Sequence, residues 1–308
     1  MSAAPLRIAV LGAGAMGSFF GSRLRAGGAE VTLVDVNPVH LEAIGRHGLR
    51  IDTDRGSETM RLPAQTPAAA RGPFDLVLVF TKTMHSRAAL DGVRHLIGPD
   101  TTLLSLQNGL GNKEILLDFA AASRVLVGMT TYPADMVGPG HVASHGDGKL
   151  RFMTSDGTAA PILERIVEAL RAGGLDAAAD PEVEISIWEK VAFNAALNTI
   201  AATTRSTVGR IGRLPEARAL AHRIAGEVVA VANACGVTAD AASVHGLIDH
   251  ALDTHVDHKP SMLQDVLAGR PTEIDAIAGE AIRKARAAGI PVPAMEAMHA
   301  LILLATSG

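Results

Sequence analysis

Two rhythms divide the chain. Through roughly the first 180 residues, short apolar runs rich in Val, Ile and Leu alternate with longer stretches of helical period. The runs "LRIAVLG", "AEVTLVD", "FDLVLVF", "TTLLSL" and "SRVLVGM" predict strands, and "SFFGSRLRAGG" and "SRAALDGVRHLI" predict helices between them. Nearly continuous apolar strands alternating with helices predict an α/β doubly wound sheet, parallel and covered on both faces. Beyond Pro181, Ala/Leu-rich helical patterns dominate and clear strands disappear. The proline and charge cluster in "AADPEVE" mark the break, so residues 1–180 are expected to form one domain and 181–308 a second, all-helical one.

Within the helical half, "WEKVAFNAALNTI" is apolar around most of its circumference. Lys190, Asn194 and Asn198 interrupt it at i, i+4 and i+8, which places them on one helical face. A helix this apolar is usually buried, so its polar stripe faces either a cleft or the one solvated side. The pattern alone leaves both readings open.

Composition narrows the function classes. At 308 residues there is room for two domains, each with a core. Aromatic residues make up only 3%, so those cores must be built from Ala, Val, Leu and Ile. A net charge of -4 with no basic run gives no footprint for nucleic acid or an anionic membrane surface. Cys235 is the single cysteine, which excludes an internal disulfide and a cysteine-based zinc site; in "VAVANACGVTAD" it reads as a small buried thiol. The N-terminal run ends in glycines rather than a cleavage site, and no apolar segment is long enough to span a bilayer, so a cytoplasmic location is expected.

The first strand leads into "GAGAMG", where Gly12, Gly14 and Gly17 form G-x-G-x-x-G, with Ala15 and Met16 between the last two. In such a loop the first glycine permits the tight turn and the second lets the backbone approach a pyrophosphate. The third lets helix and strand pack closely, while the helix N-terminus supplies donors and positive dipole. The motif alone is weak. Here a strand precedes it, a helix follows, and Asp35 ends the next strand near the expected spacing. A carboxylate there suits ribose hydroxyls and repels a 2′-phosphate, and "VNPVH" offers no arginine to accept one, so NAD(H) is favoured over NADP(H). The alternative role for Asp35 is capping the following helix.

Taken together, "GAGAMG", "VFTKTMHS", "SLQNGLGN", "WEKVAFNAALN" and "SMLQDVLAGRPTEID" resemble the ketopantoate reductase family (2-dehydropantoate 2-reductases) over nearly the whole length. The resemblance implies an N-terminal Rossmann domain, a helical substrate domain, a nicotinamide cofactor and reduction of a small 2-oxo acid, 2-dehydropantoate to pantoate. It also implies a homodimer. Lys190 matches the family's proton donor, and Asn194 and Asn198 match substrate-binding amides. The chemistry is coherent: hydride delivered to a ketone leaves charge on oxygen that a nearby ammonium stabilises and then protonates. Lys82 matches a lysine near the nicotinamide, and Asn108 an asparagine touching cofactor and substrate. Ala134 matches a backbone contact to the cofactor. Ser261 matches a carboxylate-binding serine, and Glu273 a residue near the nicotinamide ribose. Each has a plainer role: exposed charge for Lys82, turn residue for Asn108, helix N-cap for Ser261 and capping-box glutamate for Glu273.

Two positions depart from the family pattern. Val208 stands where the family often carries a further substrate-binding asparagine, with Arg205 nearby as a carboxylate partner or a surface charge. Asp35 points away from the family's common NADP(H) preference. Both keep open an NAD-dependent dehydrogenase of another hydroxy acid, and a non-catalytic dinucleotide sensor is the contrasting class. "HGLIDHALDTHVDH" places His245, His250, His255 and His258 among Asp249, Asp253 and Asp257, but the spacing fits neither H-E-x-x-H nor a zinc finger. No metal site is expected there; the aspartates read as a solvated helix face.

Overall fold

The computed structural model describes residues 4–307, which form two compact units. The first holds residues up to Gln107 and Asn112–Val183; the second holds Asn108–Gly111 and everything from Glu184 onward.

The first unit runs β1 (Arg7–Leu11), α1 (Ala15–Ala26), β2 (Glu30–Val34), α2 (Pro38–His47), β3 (Leu49–Thr53), β4 (Gly56–Met60), β5 (Ala64–Gln65), β6 (Leu76–Val79) and α3 (Thr83–Gly92). It continues with β7 (Thr102–Ser105), α4 (Asn112–Leu117), β8 (Val125–Thr130), β9 (Asp135–Gly138), β10 (His141–Ser144), β11 (Leu150–Thr154), α5 (Pro161–Ala172) and β12 (Ala177–Ala179). Eight strands form one sheet in the order β12-β11-β8-β7-β6-β1-β2-β5. From β8 across to β5 every pairing is parallel, as in a doubly wound Rossmann sheet. The central strands are buried end to end, which is why they read as unbroken apolar runs.

The structure adds features that this pattern did not predict. β11 pairs antiparallel with β8, and a second sheet, β4-β3-β10-β9, packs against α1. Its strands "LRIDT" and "GSETM" are partly or largely exposed, so their sequences carry little apolar periodicity. The predicted helix after β6 is also shorter than its pattern: α3 stops at Gly92, and Arg94–Leu96 form a separate 3₁₀ turn. The few aromatics are pooled rather than spread. Phe20 stacks on Phe80 with ring centroids 5.2 Å apart and meets Phe19 edge-on at 5.4 Å.

The second unit is helical: α6 (Val183–Thr204), α7 (Val208–Gly212), α8 (Pro215–Ala234), α9 (Ala241–Thr254), α10 (Ser261–Leu267), α11 (Glu280–Ala288) and α12 (Pro293–Thr306). α6 supplies the middle of its core through Val191, Ala192, Ala195, Ala196, Leu197 and Ile200, all buried. The alanines at 192, 195 and 196 let the neighbouring helices approach closely, while Val191, Leu197 and Ile200 fill the space between them. A single π turn, Asp275–Gly279, leads into α11. Cys235 lies at the C-cap of α8 and is exposed, not buried as its apolar neighbours suggest. The helix ends there, so the apolar face no longer continues inward.

Candidate active site

In the first unit, each predicted cofactor residue follows the C-terminal end of a strand of the parallel part of the main sheet; β6, β1 and β2 are neighbours, and β8 lies one strand further out, beyond β7. The glycine loop follows β1, Asp35 follows β2, Lys82 follows β6 and Ala134 follows β8. The chain moves from β1 to β2 on one side and later to β6 on the other. The loop therefore sits at the switch point, where open α/β sheets bind ligands.

The three glycines separate by what a side chain would meet. Gly12 has φ +95°, and a Cβ there would lie 2.6 Å from the Thr81 backbone nitrogen. A Cβ on Gly17 would lie 1.9 Å from the Gly12 carbonyl oxygen, so close packing of α1 under the loop demands glycine. Gly14 is different: it is exposed, and nothing lies within 4 Å of its added Cβ. It is also the N-cap of α1 and provides no side-chain cap, with Ala15 and Met16 half-buried in the first turn behind it. The helix end thus combines unobstructed space with positive dipole.

Asp35 is tied to this loop. Its Oδ2 accepts from Ala13 N at 2.6 Å and its Oδ1 from Asn37 N at 2.8 Å. The cap of α2 is Asn37, whose side chain accepts from Val39 N and His40 N, so Asp35 is not the helix cap. Buried His40 braces the loop from beneath. Its Nδ1 accepts from Gly140 N at 3.0 Å, and its Nε2 lies 3.2 Å from Ser18 Oγ, which donates to Ala13 O. Burial lowers the His40 pKa, with Asp35 acting in the opposite direction.

Lys82 is half-buried at the N-cap of α3, a position where lysine has no acceptor to offer the helix. One side chain not anticipated from the sequence holds the turn before it. Gln107 donates through Nε2 to Thr81 O and, at 2.7 Å, to Ser86 Oγ, and its Oε1 accepts from Ser105 Oγ at 2.8 Å. Gln-Asn-Gly read as a turn signal gave no hint of this bracing between β7 and the β6–α3 turn. Ala134 is half-buried just before β9, and Pro133 O accepts from Ser144 Oγ at 2.7 Å.

The second unit gathers another group. Asn108–Gly111 packs on the π turn: Leu110 N donates to Ala276 O at 2.8 Å, and a Cβ on Gly109 would lie 2.5 Å from the same oxygen. Glu273 precedes that turn and is half-buried; Ile277 N donates to its carbonyl at 3.0 Å. Its carboxylate acts on Lys190. Burial pushes the Lys190 ammonium down to about 8, and Glu273 opposes that shift. One and two turns along α6, Asn194 is half-buried and Asn198 buried, yet neither amide hydrogen-bonds to protein among the described residues. Neither amide is among the fully enclosed unpartnered polar atoms of the described residues, so both open onto space that a polar ligand or water can fill.

Other predicted positions stand apart. Ser261 is the first residue of α10 and exposed; Pro260 holds the N-cap position, and no side-chain hydrogen bond joins Ser261 to the Lys190 stripe among the described residues. Val208 is buried in the helical core, with its N–H donating to His258 O. Arg205 is exposed and has φ +51°, closing α6 with Ser206 N donating to Ala201 O. From α8, Arg218 reaches Asp249 Oδ1 at 2.6 Å and Asp253 Oδ1 at 2.5 Å on α9, while His222 stacks on His245 and meets Asp249 at 2.9 Å. Two of the aspartates thus bind the Arg218 guanidinium of α8 rather than only facing water.

Comparison with known proteins gives this arrangement its family. The model "Ketopantoate reductase PanE/ApbA" matches residues 8–157, and "Ketopantoate reductase PanE/ApbA C terminal" matches residues 182–305. A 2-dehydropantoate 2-reductase of Lactococcus lactis subsp. lactis (strain IL1403) is 31% identical over 302 residues, covering 96% of this chain and 97% of the relative. Among solved structures, a PanE/ApbA family ketopantoate reductase from Ralstonia eutropha JMP134 is 31% identical with a TM-score of 0.90, covering 97% of this chain and 98% of that one. A D-mandelate dehydrogenase in ternary complex with NADH and anilino(oxo)acetate is 30% identical with a TM-score of 0.92, again over 97% and 98% of the two chains. With both halves matched and relatives aligned nearly end to end, the chain belongs to the ketopantoate reductase family.

Proposed function

We propose that this protein is an NADH-linked reductase that converts 2-dehydropantoate to pantoate. The observation that carries the proposal is the α6 stripe: a lysine poised near neutral pH beside two amides without protein partners. Bound at the glycine loop, the nicotinamide dinucleotide would supply hydride. Gly14 and the start of α1 would receive its pyrophosphate, and Asp35 its adenosine ribose. Lys82, Asn108, Ala134 and Glu273 would contact its nicotinamide half. Asp35 is the reason for favouring NADH, since its charge opposes a 2′-phosphate.

Lys190 serves as general acid. Its ammonium stabilises the oxygen as charge develops there and then delivers the Nζ proton to it. A donor with a pKa of about 8 is mostly protonated at pH 7 yet gives up its proton readily. Glu273 keeps Lys190 charged in a site whose burial favours the neutral amine. Asn194 and Asn198 orient the substrate's polar groups, and Ser261 its carboxylate. The same reading extends to a cytoplasmic homodimer; no helix among the described residues is long and apolar enough to cross a membrane.

A second reading has a specific observation behind it. Val208 is buried and cannot offer an amide, and the D-mandelate dehydrogenase likeness spans the chain. An NAD-dependent D-2-hydroxy-acid dehydrogenase would fit both facts. Initial rates of NADH and NADPH oxidation with ketopantoate and with phenylglyoxylate decide between them. Turnover of ketopantoate with NADH supports the main reading, and phenylglyoxylate preferred by tenfold or more would replace it with the second. Inertness toward both 2-oxo acids, with NADH still bound, would sink both and favour a dinucleotide sensor.

A further inference from the structure

At the N-terminal ends of β1 and β2, the end of the main sheet opposite the glycine loop, an open pocket of about 290 Å³ is lined by Arg7, Arg25, Arg61 and Arg71 together with Glu30 and Phe74. Arg7 begins β1 and Gly12 follows it, so the pocket lies about 16 Å from the nucleotide loop at the usual rise per strand residue. Four exposed arginines and one glutamate share this lining, in a chain whose net charge is -4. None of the four enters an ion pair within 4.0 Å among the described residues.

The surrounding structure holds these side chains without neutralising them. The Arg7 guanidinium lies over the Phe74 ring, 5.5 Å from its centroid. Arg71 donates to the Ala68 and Ala70 carbonyls at 2.7 and 3.0 Å, and Arg25 to Ala29 O at 3.4 Å. The neighbouring carboxylate, Asp75, accepts from the Arg7 backbone N–H at 2.9 Å. Each guanidinium has five N–H donors, so most remain available. Gathered cations raise the local positive potential, which attracts anions, and the planar guanidinium fork matches phosphate oxygens.

We infer that this pocket binds a small phosphate-bearing anion, with two or more negative charges, at a site separate from the nicotinamide cofactor. Its size suits a compact ligand rather than a nucleic-acid strand, and the lone carboxylate of Glu30 can accept from a ligand hydroxyl or amine.

The test is isothermal titration of the NADH-saturated full-length protein with pyrophosphate, at fixed ionic strength, beside inorganic phosphate. One saturable site per chain is expected, with pyrophosphate bound about tenfold tighter than phosphate, as befits added charge-assisted hydrogen bonds. Arg25→Gln/Arg61→Gln should weaken it at least about tenfold while leaving NADH turnover within about twofold. If that double variant loses its cooperative melt, Arg61→Glu alone replaces it, since Arg61 makes no contact whose loss would unfold the chain. NADH binding is read separately by fluorescence, so a failed cofactor assignment leaves a different record from an absent arginine site. No saturable heat, equal affinity in the variant, or displacement of pyrophosphate by NADH would each overturn the inference.

Discussion

The pH dependence of reduction is the most direct consequence of how Lys190 is housed. Burial lowers its pKa to about 8 against the opposing charge of Glu273. The ammonium is the competent form for reduction, so the rate is full below that value and lost as pH rises through it. With a pKa of about 8, roughly 90% of the enzyme is competent at pH 7 and roughly 10% at pH 9. The kcat/KM for the 2-oxo acid, which reports the free enzyme, should therefore fall about tenfold between those two values and about tenfold per unit beyond. The oxidation direction needs the neutral amine and should rise over the same range. Lys190→Ala should lower reduction by about 100- to 10,000-fold and abolish the limb, while NADH affinity stays within a few-fold. Glu273→Gln removes the charge that opposes desolvation, so the midpoint should move to lower pH. Stopped-flow rates of NADH consumption from pH 6 to 10, for the three proteins, measure all of this. A limb near pH 8 that survives in Lys190→Ala would refute the assignment, because another group would then be titrating.

Other expectations follow from single contacts. Gly17→Ala puts a methyl 1.9 Å from the Gly12 carbonyl, so it should cost about 1–3 kcal/mol and lower the melting temperature by several degrees, read by calorimetry. Gly14→Ala meets nothing within 4 Å and should melt like the wild type, yet lose NADH affinity as measured by fluorescence titration. Asp35→Asn keeps the oxygen that receives Ala13 N and removes the charge, so the NADPH-to-NADH ratio of kcat/KM should rise about tenfold or more. Asn198→Ala breaks no hydrogen bond within the protein, so stability should change little while the substrate KM rises about tenfold or more.

Much of this protein was written in local pattern. The strands β1, β2, β6, β7 and β8 are buried on both faces, and a doubly covered strand must be apolar throughout, so each was visible as a run. The glycine loop was legible because Gly12 and Gly17 answer demands of turn and packing, while Gly14 keeps the approach to α1 open, all at fixed spacing. The Lys190, Asn194 and Asn198 stripe was legible because helical spacing alone puts the three on one face.

What lies beyond pattern depended on partners distant in sequence. The four-stranded sheet escaped notice since its strands are half-solvated and paired across some ninety residues, as in Arg50 with His141. The π turn at Asp275–Gly279 and its bond from Leu110 join segments more than 160 residues apart, which no window of residues contains. Cys235 is exposed despite its apolar neighbours because helix α8 ends at that residue. The arginine pocket makes the same point in charge: Arg7, Arg25, Arg61 and Arg71 form no run in the chain and meet only where strands and turns bring them to one end of the sheet. Periodicity determines which face of an element is apolar; only the tertiary fold decides which polar groups share a space, and so what their charges do.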